Sequence, residues 1–167
     1  WMGSSEGLAC LLPAKHKVRW YRHLAHDSHS LPRNFITSVL VDHSSKIWVF
    51  PWREGIWQLD PRSGKCVQLL DGFIPEDNHK KKLLISQAAE DNEGNIWMAD
   101  LDEGIILYDR KSGHFSKPFE KMLGPRLRSR RIFFRNGKLY ANSNLSLVRW
   151  DPHSRKLESF TPPADMQ

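Results

Sequence analysis

The residues best suited to chemistry in this chain sit in short polar runs between apolar ones. Trp52 and Arg53 lie between Pro51 and Glu54, outside any apolar alternation. An indole exposed in this way offers a flat apolar face, and a guanidinium beside it offers directed donors. Such a pair suits a sugar-like ring bearing hydroxyls. The competing reading packs Trp52 against a neighbouring element. Asp100, Asp102 and Glu103 could supply the two carboxylates that glycoside cleavage needs at about 5 to 10 Å, although acidic loop residues are usually just solvated. Asn142 and Asn144 add amides that could bind hydroxyl groups.

Arg128 and Arg130 belong to a basic run from Arg126 to Arg131, and a second run covers Asn78 to Lys82. A basic rim could attract an acidic or sulfated glycan; the plainer reading is a solvated loop. Neither run has interleaved aromatics, so no nucleic-acid partner is expected. His23, His26 and His29 are spaced three apart but lead into Ser30-Leu31-Pro32, which reads as a loop. Cys10 and Cys66 form no C-x-x-C pair. Neither a metal nor a cofactor is therefore expected.

The elements that must position these residues follow from an internal repeat. Trp48, Trp97 and Tyr140 are spaced by 49 and 43 residues, and Asp60, Asp109 and Asp151 by 49 and 42. Each aromatic is preceded by an apolar residue, and each Asp opens a five-residue loop: Asp60–Gly64, Asp109–Gly113 and Asp151–Arg155. A truncated copy opens the chain at Trp1, 47 residues before Trp48. Periods in the forties are those of four-stranded propeller blades.

In the second complete copy the pattern predicts strands over 84–90, 95–99, 104–108 and 114–119. One and three residues before each Asp the pairs are Leu59/Trp57, Tyr108/Ile106 and Trp150/Val148; two before, the residue drifts through Gln58, Leu107 and Arg149. That alternation predicts strands with one buried face and one open face. Cys66 falls on a core position and Cys10 on the variable face, which argues against a disulfide between them. The recurring Trp48, Trp97, Tyr140, Asp60, Asp109 and Asp151 read as structural anchors. A residue that reads a ligand should instead differ from blade to blade. Trp52, Arg53, Asp100, Asp102, Asn142 and Asn144 meet that criterion, on loops between second and third strands.

The fold expected is all-β: a β-propeller fragment of about three complete four-stranded blades plus a partial N-terminal one. The segments are 1–34 (partial blade and connecting loop), 35–83, 84–130 and 131–167. Three blades and a remnant cannot close a ring, so the chain reads as incomplete. Bulk composition agrees. The 167 residues are 40% apolar and 26% charged, with seven Trp among the aromatics and a net charge of +6. These values fit a globular chain, favour β-structure and exclude disorder. No run is long enough for a membrane-spanning helix.

The order Asp, Gly, Ile-Trp, Gly-Ile, Tyr-Asp, Ser-Gly, repeated in register, resembles the two-component regulator propeller repeat. That repeat occurs in the periplasmic sensor region of Bacteroidetes hybrid two-component histidine kinases. Trp1-Met2-Gly3, Glu6-Gly7-Leu8 and Ser30-Leu31-Pro32-Arg33-Asn34 are similar to the family as well. The last copy departs from it: Tyr140 replaces Trp, Phe134 stands near the expected Asp, and no Gly precedes Leu147. The resemblance implies a non-enzymatic, periplasmic segment that recognises an oligosaccharide and signals to a kinase elsewhere in a longer chain. It also implies further blades as partners, a possible homodimer of the parent, and membrane attachment only through other regions. A propeller lyase and a protein-interaction scaffold are the alternatives.

Overall fold

The computed structural model describes residues 1–69, 83–123, 129–142 and 146–160. The chain divides into two compact units, Trp1–Ile85 and Ser86–Gln167. Each unit holds two antiparallel sheets.

In the first unit, β1 (Met2–Ser4), β2 (Gly7–Leu12) and β3 (Lys17–Tyr21) form a three-stranded meander. The second sheet is β4 (Ile36–Val41), β5 (Ile47–Pro51), β6 (Trp57–Leu59) and β7 (Cys66–Gln68). In the second unit, β8 (Ile85–Glu90), β9 (Ile96–Asp100), β10 (Gly104–Asp109) and β11 (His114–Ser116) make the third sheet. The fourth is β12 (Ile132–Arg135), β13 (Lys138–Asn142), β14 (Leu147–Asp151) and β15 (Lys156–Phe160). Ile85, the first residue of β8, is grouped with the first unit. Every sheet is therefore an up-and-down ribbon in chain order, and the repeat read from the sequence is the repeat of sheets.

Ladder register fixes equivalent positions. Trp48 faces Gln58, Trp97 faces Leu107 and Tyr140 faces Arg149, so the three anchors share one row. The face of each sheet that carries this row is called here the anchor face, and the opposite one the reverse face. Among the described residues, a core forms between the two sheets of each unit. In the first, Leu8 and the partly buried Tyr21 meet Ile47, Val49, Leu59 and Cys66. In the second, Trp97, Ala99, Ile105 and Leu107 meet Leu139, Ala141, Trp150 and Leu157. Burying one such side chain contributes roughly 1.5–3 kcal/mol. Gly3 is required at the first seam, because a Cβ there would lie 2.8 Å from Ile36 Cγ2.

The expectation of one buried and one open face is corrected by these cores. Leu107, on the face read as variable, is partly buried and packs against the core that holds Trp97. A blade is covered on both sides when sheets stack, and the drift at that position reflects different neighbours rather than exposure. The fourth strand of the third sheet also ends earlier than expected. Pro118 cannot donate to a ladder, and the chain turns into a short helix, α1 (Glu120–Leu123). Phe119 leaves the sheet and stacks on Trp97 with centroids 5.8 Å apart.

The Asp loops form as anticipated. Asp60 accepts the Arg62 amide at 2.9 Å and the Ser63 hydroxyl at 2.6 Å, and Gly64 N–H closes onto Asp60 O at 2.8 Å. Asp109 accepts from the Ser112 amide at 2.8 Å, with Gly113 closing the same way. In the last blade Arg155 occupies the glycine position at φ 52°, against 78° and 73° for Gly64 and Gly113. A side chain is thus forced into the left-handed region.

Candidate functional site

The first unit builds one loop cluster from the β5–β6 connection and the chain leading into β4. Trp52 N–H donates to Phe35 O at 2.8 Å, which ties the two segments together. Their rings meet edge to face at 5.4 Å. Trp52 keeps 37% and Phe35 44% of their surface exposed. Arg53, at φ 54°, sets its guanidinium 6.0 Å from the Trp52 ring. Arg33 pairs with Glu54 at 3.0 Å, and Trp57 Nε1–H donates to Glu54 O at 2.8 Å, so the loop is pinned on both sides. The result is an exposed aromatic platform flanked by guanidinium groups.

Phe35 and Arg33 were not singled out from the sequence. The available signal was that both belong to the stretch leading into a first strand, the segment that meets a two-to-three loop in this repeat. The loop from Ser4 to Glu6 is closed by its own bonds: Ser4 Oγ accepts from Glu6 N–H at 3.1 Å and donates to Gly7 O at 2.9 Å.

The second unit uses its polar residues differently. Asp100 is fully buried. Its Oδ1 accepts the amides of Asp102 at 2.8 Å and Glu103 at 2.7 Å. It closes its turn with its side chain buried, unlike the exposed Asp102 two residues on. Asp102 is exposed, and Glu103 is ion-paired with Lys117. Asn142 Oδ1 accepts the amides of Arg130 at 3.2 Å and Arg131 at 2.7 Å, so this Asn anchors the chain leading into β12. Arg130 itself is exposed. Arg128, Asn144 and the run 78–82 lie outside the described residues.

At the opposite end of the strands, the second unit has a cavity of about 550 Å³ lined by Asp91, Asn95, Trp97, Asp109, Trp150 and His153. The Asp91 carboxylate in its wall is already committed. Asp91 accepts from Glu93 and Asn95 amides and from the Asn95 and Trp97 side chains, at 2.8–3.0 Å. Among the histidines expected to sit in a loop, His23 Nδ1 lies 2.7 Å from Leu31 O. No three metal-ligating side chains converge among the described residues. Cys10 and Cys66 are both free thiols, and Cys66 is buried as its register implied.

No family model matches the sequence, and no curated protein matches it either. Solved structures do. The extracellular domain assigned to the hybrid two-component system BT3049 of B. thetaiotaomicron superposes with a TM-score of 0.72 over 95% of this chain at 17% identity. The chain is a β-propeller fragment. It spans 21% of the length of that BT3049 domain and 29% of the corresponding BT4673 domain, which superposes at TM-score 0.55 and 15% identity. The resemblance drawn from the repeat is thus matched in structure by two hybrid two-component systems. Virginiamycin B lyase from Staphylococcus aureus shares the fold as well, with TM-score 0.68, 15% identity, and coverage of 96% of this chain and 50% of the lyase. Among the described residues of the propeller fragment, no helix is long and apolar enough to cross a membrane.

Proposed function

We propose that this segment is the ligand-sensing part of an extracytoplasmic propeller, recognising an oligosaccharide and passing occupancy to a kinase encoded outside these residues. The reading places the segment in the periplasm, attached to the membrane only through other regions and completed by further blades of its parent chain. One observation carries it: Trp52, Phe35 and Arg53 form an exposed aromatic and cationic platform on a loop tied down by the Trp52–Phe35 backbone bond and the Arg33–Glu54 pair. Pyranose rings present an apolar C–H face and a hydroxyl edge, which such a platform matches. The fold shared with extracellular domains of two-component systems supports the same reading.

The test is a glycan array probed with the 167-residue chain, followed by calorimetry on the hits. Specific capture that is lost in Trp52→Ala supports the reading. Capture that survives this change and Arg53→Ala sinks the assigned site.

A second reading, a propeller lyase, is favoured by the fold shared with virginiamycin B lyase. Of its candidate carboxylates, Asp100 is buried in a turn and Glu103 is paired with Lys117, leaving Asp102 as the exposed one. Turnover of polysaccharide or lactone substrates that depends on Asp102 is what this reading requires. A scaffold for protein partners is the third; it predicts capture of a specific protein with no glycan bound.

A further inference from the structure

The seam between neighbouring sheets is built twice, with different side chains at equivalent positions. Met2 pairs with Ala9, which sets Trp1 opposite Cys10 as Trp97 stands opposite Leu107. Cys10 in turn faces Arg19, and Leu107 faces Ser116. Arg19 and Ser116 are therefore equivalent, and so are Tyr21 and Pro118 two residues on. In the first unit both large side chains reach across to the Asp60 loop of the second sheet. Tyr21 donates its hydroxyl to Pro61 O at 3.0 Å, and Arg19 Nη1 donates to the same oxygen at 3.3 Å.

The second unit has only Ser116 and Pro118 at these two positions. There the cavity of about 550 Å³ opens between the third and fourth sheets, with Pro118 and Pro152 both in its wall. Pro152 follows Asp151 as Pro61 follows Asp60, so its carbonyl is the counterpart of the one that Tyr21 and Arg19 engage. Among the described residues no donor meets Pro152 O. Trp97, Leu107 and the half-buried Trp150 give the cavity an apolar wall. Trp48, Trp57 and Trp97 each place the indole N–H on an acceptor, whereas that of Trp150 meets none among the described residues. None of their buried side-chain donors lacks a partner, so the Trp150 N–H is open to solvent. Three carboxylates, of Asp91, Glu93 and Asp109, line the cavity beside one guanidinium, that of Arg155. The exposed Glu93 carboxylate is paired with no cation among the described residues.

We propose that this cavity binds a cationic aromatic ligand, a flat ring carrying a hydroxyl and an ammonium group in the manner of tyramine. The ligand takes the place that Tyr21 and Arg19 hold in the first unit. Its hydroxyl donates to Pro152 O, its ring lies against the Trp97 and Trp150 wall, and its charge meets Glu93 and Asp109. A free carbonyl acceptor, indole faces and a surplus of carboxylates together select a positively charged donor over an anion. The volume falls in the range of small-molecule sites, about 300–1,000 Å³. This site belongs to the other unit from the Trp52 platform and stands or falls without it.

The experiment is a titration of the isotope-labelled 167-residue chain with tyramine to about 20 mM, followed by NMR through its seven indole N–H signals. Trp150→Phe identifies the Trp150 signal. That signal should move with half-saturation at about 0.1–5 mM while the Trp52 signal stays in place. Para-hydroxyphenylacetate, the same ring with a carboxylate, should bind at least about tenfold more weakly. Ser116→Arg with Pro118→Tyr copies the filling of the first unit and should abolish the response with an unchanged circular dichroism spectrum. Glu93→Gln, at an exposed turn position, should weaken binding about threefold or more, and it decides the matter if the filled variant misfolds. A Trp150 signal that does not saturate by about 20 mM overturns the proposal. So does equal binding of the two ring compounds, a response that persists in the folded filled variant, or undiminished binding in Glu93→Gln.

Discussion

The indole N–H of Trp97 donates to Oδ2 of Asp91 at 2.8 Å, and Trp48 makes the same bond to Asp42 at 2.9 Å. In both blades the carboxylate sits at the turn between first and second strands, six residues before the ring. Its other oxygen accepts the amide just before the second strand, Asn95 or Lys46, at 2.9 Å. One side chain therefore shapes the hairpin and satisfies the buried indole. Without it a large aromatic could not enter the core at that row without stranding a donor. The last blade loses both partners together. Its hairpin has only Asn136 and Gly137 between Arg135 and Lys138, both at positive φ, and Tyr140 replaces the indole. Phe134, freed from the turn, packs into the core 6.0 Å from Trp97.

Asp91→Ala should accordingly cost more than Trp97→Phe. The first leaves the Glu93 and Asn95 amides and the Trp97 indole without their acceptor; the second leaves Asp91 its remaining donors. Losses of about 2–3 kcal/mol and about 1 kcal/mol are expected. Urea unfolding followed by circular dichroism measures both. Equal losses would mean that the core space vacated by the smaller ring costs as much as the turn bonds of Asp91.

Arg155→Gly should stabilise the chain. Arg155 sits at φ 52° where the two earlier blades place glycine, and a left-handed residue other than glycine costs about 1–2 kcal/mol. Relief is offset by the entropy that glycine loses on folding, so a net gain of about 0.5–1 kcal/mol is expected. The converse change, Gly113→Ala at φ 73°, should destabilise by a similar amount. Thermal unfolding of the two variants side by side tests the pair, and a fall in stability for Arg155→Gly contradicts the strain argument.

The blade repeat was legible because strand pairing forces period-two alternation and because each Asp loop is specified by its own side chain. Asp60, Asp109 and Asp151 carry their turns locally, so spacing alone located them. What covers each sheet was not legible. Leu107 and Gln58 share a register position, yet Leu107 packs against a core, because burial there depends on the neighbouring sheet rather than on the strand itself. The same reason hid the role of Asp100. An exposed acidic loop and a buried turn-closing Asp read alike in sequence, and only the backbone path decides which amides the carboxylate meets. Trp52 was legible as an outlier from the strand pattern, whereas its partner Phe35 required the two chain segments to be brought together.

Acid should loosen the Asp loops in a defined direction. The Ser63 hydroxyl and Arg62 amide hold the Asp60 carboxyl below its ordinary value; the Ser112 amide does the same for Asp109, and Lys138 for Asp151. A carboxyl depressed on folding contributes stability that is present above its unfolded pKa and is lost as pH falls through the folded one. The melting temperature should therefore begin to fall as the pH drops towards the ordinary carboxylate value of about 4, and go on falling below it. Asp60→Asn with Asp109→Asn keeps an acceptor but removes the titration, and should flatten that slope. An unchanged slope in the double variant would place the acid sensitivity elsewhere.

The two thiols should separate by reactivity. Cys66 is 3% exposed, and burial pushes its thiol up to about 11, whereas Cys10 is half-buried on another sheet. At pH 8 a thiol of that kind holds about one thiolate per thousand molecules, and the thiolate is the attacking species. Treatment of the native chain with a coloured aromatic disulfide should thus release about one equivalent promptly and a second only on denaturation. Cys10→Ser should abolish the prompt phase, and Cys66→Ser should leave it intact. Two fast equivalents from the native chain would mean that the core around Leu59 and Cys66 opens on the timescale of the reaction, contrary to its packing.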